Sequence, residues 1–181
     1  LLVLDEAYID LAPEGTAPAF VPDDPRVIRM RTFSKGYGLA GARVGYAVGH
    51  ADLITSFNKV RNHFGVNRIA QAGALAALDD QAYLAQVQGR VAAARDRIAA
   101  IARENGLEPL PSATNFVTID CGRDGVFARA VLDGLVSRDV FVRMPFVAPQ
   151  NRCIRVSCGT ATDLDLLAEV LPGALADATR A

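Results

Sequence analysis

The sequence predicts an α/β chain, a mostly parallel sheet with its helices, followed by a smaller α+β unit. Three features predict it. The chain starts on an apolar run, "LLVLDEAY", that ends in charge. An uninterrupted run of this kind suits a strand buried on both faces, as in a parallel sheet. Strand-like and helix-like stretches then follow one another up to a long helix ending near Asn105. Beyond that helix the rhythm changes to short strands and helices, and the domain boundary falls inside the helix, near residue 85.

Each element has a local reason. After the first strand, residues 10–25 are rich in Pro, Gly and Asp and read as a loop. "RVIRMRTFS" is apolar enough for a second strand, and "RVGYAVGH" alternates as a third. Helices are expected from Ala51 to Val60 and from Asn67 to Leu78, and an arginine- and alanine-rich helix from Gln81 to Asn105. Gly106 closes the last of these as its cap. "ATNFVTIDC", "VFVRM" and "CIRVSCG" read as strands, and "DGVFARAVLDGLVSR" as a helix. "DLDLLAEVLPGAL" is a final helix with Thr162 as its N-cap.

The bulk numbers exclude several classes. Nineteen basic and twenty acidic residues nearly cancel, so no electrostatic footprint for nucleic acid or an anionic membrane exists. No apolar run reaches the ~18 residues needed to span a bilayer, and no signal peptide is visible. The chain lacks an initiator methionine and reads as a piece of a longer one. Cys121, Cys153 and Cys158 fit no zinc spacing, and His50 and His63 are far from them in sequence. They read as buried free thiols, and no metal site is expected.

The stretch "RTFSKGYGLAGARVGYAVG" carries chemistry. Of the 19 basic residues only Lys35 and Lys59 are lysines. Arginine stays protonated, whereas a lysine amine loses its proton and attacks a carbonyl. Lys35, set between a serine and a glycine, is therefore a candidate nucleophile, against the plain alternative of a solvated loop lysine. The motif follows one predicted strand, and "DEAY", Asp5 to Tyr8, ends another. Ligands of open α/β sheets bind beyond the carboxyl ends of strands, so Asp5, Tyr8 and Lys35 are expected to face one ligand. Neither a Walker motif nor a G-x-G-x-x-G opening a helix is present.

Four motifs in order, Asp5–Tyr8, Ser34–Tyr46, Asn115–Phe116 and Ile154–Thr160, resemble the fold type I pyridoxal-phosphate (PLP) aminotransferases, and among them the histidinol-phosphate aminotransferase group. The resemblance runs through the whole chain, which corresponds to the C-terminal half of a family member. It implies that residues 1–85 are the C-terminal part of the PLP-binding large domain and 86–181 the small C-terminal domain.

The resemblance also implies roles. Lys35 would bind the PLP aldehyde and shuttle the proton between substrate α-carbon and cofactor C4′, on a loop that Gly36 and Gly38 let swing. Asp5 would keep the pyridine nitrogen protonated, and Tyr8 would hydrogen-bond the ring oxygen. Thr32, Ser34 and Arg43 would hold the cofactor phosphate, since hydroxyls and a forked guanidinium match its oxygens. Gly38 and Gly41 would allow close backbone approach. Arg155 would grip the substrate α-carboxylate with Asn115 orienting it, and Arg143 would meet the substrate phosphate.

The implied protein is a cytoplasmic homodimer. It would move an amino group from an amino acid or amine such as histidinol phosphate to 2-oxoglutarate. The apolar "MPFVAPQ" segment after Arg143 departs from the group's pattern and fits an aromatic amino acid instead. Two other readings stay open: a phospho-amino-acid decarboxylase of the same fold, and a non-catalytic PLP-binding effector domain of a transcription regulator.

Overall fold

The computed structural model describes residues 1–19, 21 and 23–180; Phe20 and Pro22, inside the predicted loop 10–25, lie outside the described residues. The chain divides into two compact units, Leu1–Gly89 and Arg90–Ala181.

The first unit carries a three-stranded sheet in the order β1 (Leu2–Asp5), β2 (Val27–Thr32), β3 (Gly45–Gly49). β1 runs parallel to β2 with Asp5 opposite Met30. β2 runs antiparallel to β3 with Arg31 opposite Tyr46. An antiparallel edge strand beside a parallel pair is common in α/β sheets. β1 is shorter than the apolar run, and a 3₁₀ turn at Ile9–Leu11 follows it and overlaps the start of the predicted loop.

Within this chain β1 is not buried on both faces. Among the described residues Leu2 and Val3 are 51% and 57% exposed, and β1 lies at the edge of the three strands this chain supplies. Buried apolar side chains of this unit are Leu11, Ile28, Phe33, Ala70, Ala74 and Leu84.

Two helices follow the sheet. α1 (Ala51–Ser56) continues as a 3₁₀ turn, Phe57–Lys59. α2 (Arg68–Asp79) starts at Asn67, whose side chain accepts the Ala70 N–H at 2.7 Å and satisfies one orphan donor of the first turn. α3 (Gln81–Glu104) contains the division between the units. It ends as the glycine predicted. Gly106 takes φ +72°, its N–H donates to the Arg103 carbonyl at 3.0 Å, and the Leu107 N–H donates to Ala102 at 3.0 Å. That pair of bonds is a Schellman cap.

The second unit is an antiparallel sheet, β4 (Glu108–Pro109), β5 (Phe116–Asp120), β6 (Cys153–Ser157), with α4 (Gly125–Val136) and α5 (Ala161–Arg180). β5 alternates, burying Val117 and Ile119. The core joins these to Ile98, Ile101, Val131, Leu135, Ile154, Leu167 and Leu171. Each such side chain contributes about 1.5–3 kcal/mol by burial. α4 and α5 approach closely at Gly134, where a Cβ would sit 3.1 Å from that of Ala174. Pro172 lies inside α5 and removes one helical hydrogen bond. The buried stripe Leu164, Leu167, Leu171, Ala174 and Ala178 outweighs that loss and keeps the helix continuous.

Two expectations in this unit are corrected. "VFVRM" is not a strand. Only Arg143 bridges to Arg155, through backbone bonds of 3.1 and 2.6 Å, and Pro145 follows too soon for a ladder to continue. The N-cap of α5 is Thr160 rather than Thr162. The Asp163 carboxylate accepts the Thr160 N–H and hydroxyl, each at 2.7 Å, while the Asp163 N–H donates back to the Thr160 Oγ1 at 3.3 Å. This reciprocal box fixes the start one residue before Ala161.

Candidate functional site

The first unit brings Asp5, Tyr8, Thr32, Ser34, Lys35 and Arg43 to one edge of its sheet. β1 and β2 are parallel, so their carboxyl ends lie on the same side, and the two motifs meet there. Asp5 is exposed at the end of β1, and its Oδ1 accepts the Ala7 N–H at 3.0 Å. Lys35 Nζ stands 5.2 Å from the centre of the half-buried Tyr8 ring.

The loop carrying Lys35 is built from its own backbone. Phe33 N–H donates to Val44, Leu39 N–H to Phe33, and Gly38 N–H to Lys35, at 2.9–3.2 Å. Phe33, 3% exposed, anchors it between Tyr37 and Tyr46. Gly38 needs its glycine, with φ +71°. Gly36 needs its own because a Cβ would meet Leu84 at 3.2 Å and Asp10 at 3.3 Å. A Cβ at Gly41 meets only open space.

Next to Lys35 the hydroxyls converge. Thr32 Oγ1 lies 2.9 Å from Ser34 Oγ and accepts the Ser34 N–H at 3.1 Å. Arg43, exposed and in the left-handed region at φ 53°, donates to Ser34 Oγ at 3.4 Å and to the Ala40 carbonyl at 2.8 Å. Two hydroxyls and a guanidinium in one cluster are donors suited to a phosphate.

The sequence did not single out the residues behind this edge. Asp5 shares the face of Met30, so the next side chain, Glu6, turns to the other face. There Glu6, 7% exposed, pairs with Arg29 at 3.1 Å and Arg31 at 3.0 Å. Arg31 reaches Asp10 at 3.8 Å, and Arg29 donates to the Pro18 and Ala19 carbonyls. Burial pushes the Asp10 carboxyl up from its ordinary range, against the pull of Arg31. Burial works to lower Arg31, but bonds to Glu6 and to Tyr46 overcome it and hold the guanidinium more firmly charged. The readable signal was the pair of arginines at alternate positions 29 and 31, since buried guanidiniums require acidic partners.

The second unit holds Asn115, Arg143 and Arg155. The bridge between Arg143 and Arg155 puts both side chains on one side of the backbone pair. Both line a cavity of about 570 Å³ with Arg129, Met144 and Phe146. Arg155 stacks over the Phe116 ring at 4.4 Å. The Asn115 carbonyl accepts the Cys158 N–H at 2.9 Å, which ties the chain before β5 to the end of β6. All three cysteines are free, and burial pushes the Cys121 thiol up to about 12. Among the described residues no group of metal-ligating side chains occurs, and no helix is long and apolar enough to cross a membrane.

Comparison with known proteins gives one family. The profile described as aminotransferase class I and II matches residues 1–171. Histidinol-phosphate aminotransferase 2 of Thiobacillus denitrificans is 38% identical over 177 residues, covering 94% of this chain and 48% of its own. The crystal structure of histidinol-phosphate aminotransferase from Sinorhizobium meliloti in complex with pyridoxal-5'-phosphate is 53% identical, with a TM-score of 0.93 over 97% of this chain and 49% of that one. L-threonine-O-3-phosphate decarboxylase from Porphyromonas gingivalis shares the fold alone, at 20% identity and a TM-score of 0.78. The chain spans about half the length of the curated relatives it matches.

Proposed function

The chain belongs to the aminotransferase class I and II family, and on that premise we propose that it supplies the lysine-bearing part of a PLP-dependent aminotransferase acting on histidinol phosphate and 2-oxoglutarate. One observation carries the reading: Lys35 Nζ beside Tyr8, at the sheet edge that also presents Asp5. The residues fit the cofactor, since a phosphate-suited donor cluster, an amine, a phenol and a carboxylate occupy one edge. When bound, PLP is the sink for the electron pair left on the substrate carbon.

The chain's own groups do the rest. Thr32, Ser34 and Arg43 would hold the phosphate with charge-assisted bonds. Asp5 would sit against the ring nitrogen and keep a proton on it, because an adjacent carboxylate favours the charged form. Tyr8 would donate to the ring oxygen. Lys35 Nζ would be the amine that holds the aldehyde carbon of the cofactor, and the base placed for the proton of the substrate α-carbon.

Arg143 and Arg155 set the substrate. Like charges directly opposite one another are unfavourable on a sheet. An anion in the cavity they share relieves that repulsion, as the phosphate of histidinol phosphate or the carboxylates of 2-oxoglutarate would. Asn115 steadies the β5–β6 junction that carries Arg155. The same reading makes the protein a homodimer.

The test is amino transfer by the purified protein that carries this chain. With PLP and 2-oxoglutarate present, histidinol phosphate should yield glutamate, and phenylalanine should do so far more slowly. Preference for phenylalanine points to an aromatic aminotransferase. Carbon dioxide released from a phospho-amino acid points to a decarboxylase. PLP binding without turnover points to an effector domain.

A further inference from the structure

We propose that Glu6 is a positioning residue, which through Arg31 holds both the end of β1 that carries Asp5 and the turn that carries Tyr8. The proposal rests on the PLP reading above.

Arg31 is the hub. It meets Glu6 at 3.0 Å and Asp10 at 3.8 Å, and it lies opposite Tyr46 on β3. Glu6 and Asp10 bracket Tyr8 in the chain, and Asp5 immediately precedes Glu6. One guanidinium therefore ties down both ends of the segment that presents the two ring-contacting groups. Arg29 makes the hold two-pronged. It stands 3.1 Å from the other oxygen of the Glu6 carboxylate as an ion pair, and with Arg31 it flanks Met30, the partner of Asp5. The clamp lies on the face of the sheet away from Asp5, so it touches no cofactor atom itself. Gln88 adds a second anchor, its side chain donating to the Asp10 carbonyl at 2.8 Å.

Two acids and two arginines balance in charge, and Glu6 and Arg29 are each 7% exposed. Buried ion pairs are weak sources of net stability, and fixing register is their better-supported use. Here the register fixed is that of a strand end whose carboxylate must meet a ring nitrogen.

The test uses the protein that carries this chain. Glu6→Gln removes the charge at constant size, and Asp10→Asn is a milder second variant should the first not fold. Ile28→Ala, a buried residue of β2 outside the clamp, controls for stability. The measurements are kcat, the PLP dissociation constant, and amide hydrogen exchange at Ile9 and Leu11 without cofactor.

The expected result for Glu6→Gln is a kcat about 10- to 100-fold lower, as for a misplaced catalytic group, with cofactor affinity changed less than about threefold. Exchange at Ile9 and Leu11 should rise about tenfold as the turn opens locally. Asp10→Asn should show the same pattern more weakly. Glu6→Gln or Asp10→Asn matching Ile28→Ala in kcat and exchange at equal thermal stability would overturn the proposal. Failure of the underlying reading looks different: wild-type protein then takes up no PLP at Lys35, and the proposal falls with it whatever the exchange rates.

Discussion

Lys35 Nζ lies 5.2 Å from the centre of the Tyr8 ring although the two residues follow different strands. Tyr8 comes after β1 and Lys35 after β2, and the parallel pairing of these strands brings their ends to one edge. An antiparallel pair would have sent them to opposite edges. The parallel register is thus what turns two short motifs into one candidate site.

Asp5 tests the electronic side of that site. Asp5→Asn keeps the shape of the side chain and loses the charge that would hold the ring nitrogen protonated. Turnover should fall by orders of magnitude while PLP, which Thr32, Ser34 and Arg43 would anchor, stays bound. Stopped-flow rates beside an absorbance titration separate the two, and near-normal turnover would count against the assignment.

Arg143 tests the substrate. If it meets the phosphate, Arg143→Met loses charge-assisted bonds worth roughly 1.5–3 kcal/mol each. At about 1.4 kcal/mol per decade, kcat/KM for histidinol phosphate should drop roughly ten- to a hundredfold. Phenylalanine should be little affected. An equal drop for both substrates would remove Arg143 from phosphate recognition.

Gly106 tests the fold. Its φ of +72° in the Schellman cap of α3 is strained for any residue with a Cβ. Gly106→Ala should cost about 1 kcal/mol of stability, measured by urea unfolding, without altering the amino-transfer rate. No change in midpoint would mean that the cap can be remade without glycine.

Most of the helices and the two motifs were legible because they are local. Asn67 and Gly106 announce the ends of α2 and α3 by their own chemistry. The exposure of β1 is not legible in its sequence, because apolarity reports what a strand prefers and not which elements cover it within this chain. "VFVRM" misled, since its apolar alternation lacks a partner beyond the single Arg143–Arg155 bridge. Thr162 is the nearer hydroxyl to the apolar run, but the T-x-x-D spacing of Thr160 and Asp163 is what builds the box. The Glu6 clamp was not legible, because it depends on cross-strand register: only with Asp5 opposite Met30 does Glu6 fall between Arg29 and Arg31.

The central claim is that Lys35 carries the cofactor, and borohydride trapping tests it most directly. The protein that carries this chain, incubated with PLP, reduced and digested, should yield a single phosphopyridoxyl-modified peptide by mass spectrometry, with the label on Lys35. Lys35→Ala should yield none. A label on Lys59, or no label on the wild-type protein, would contradict the account.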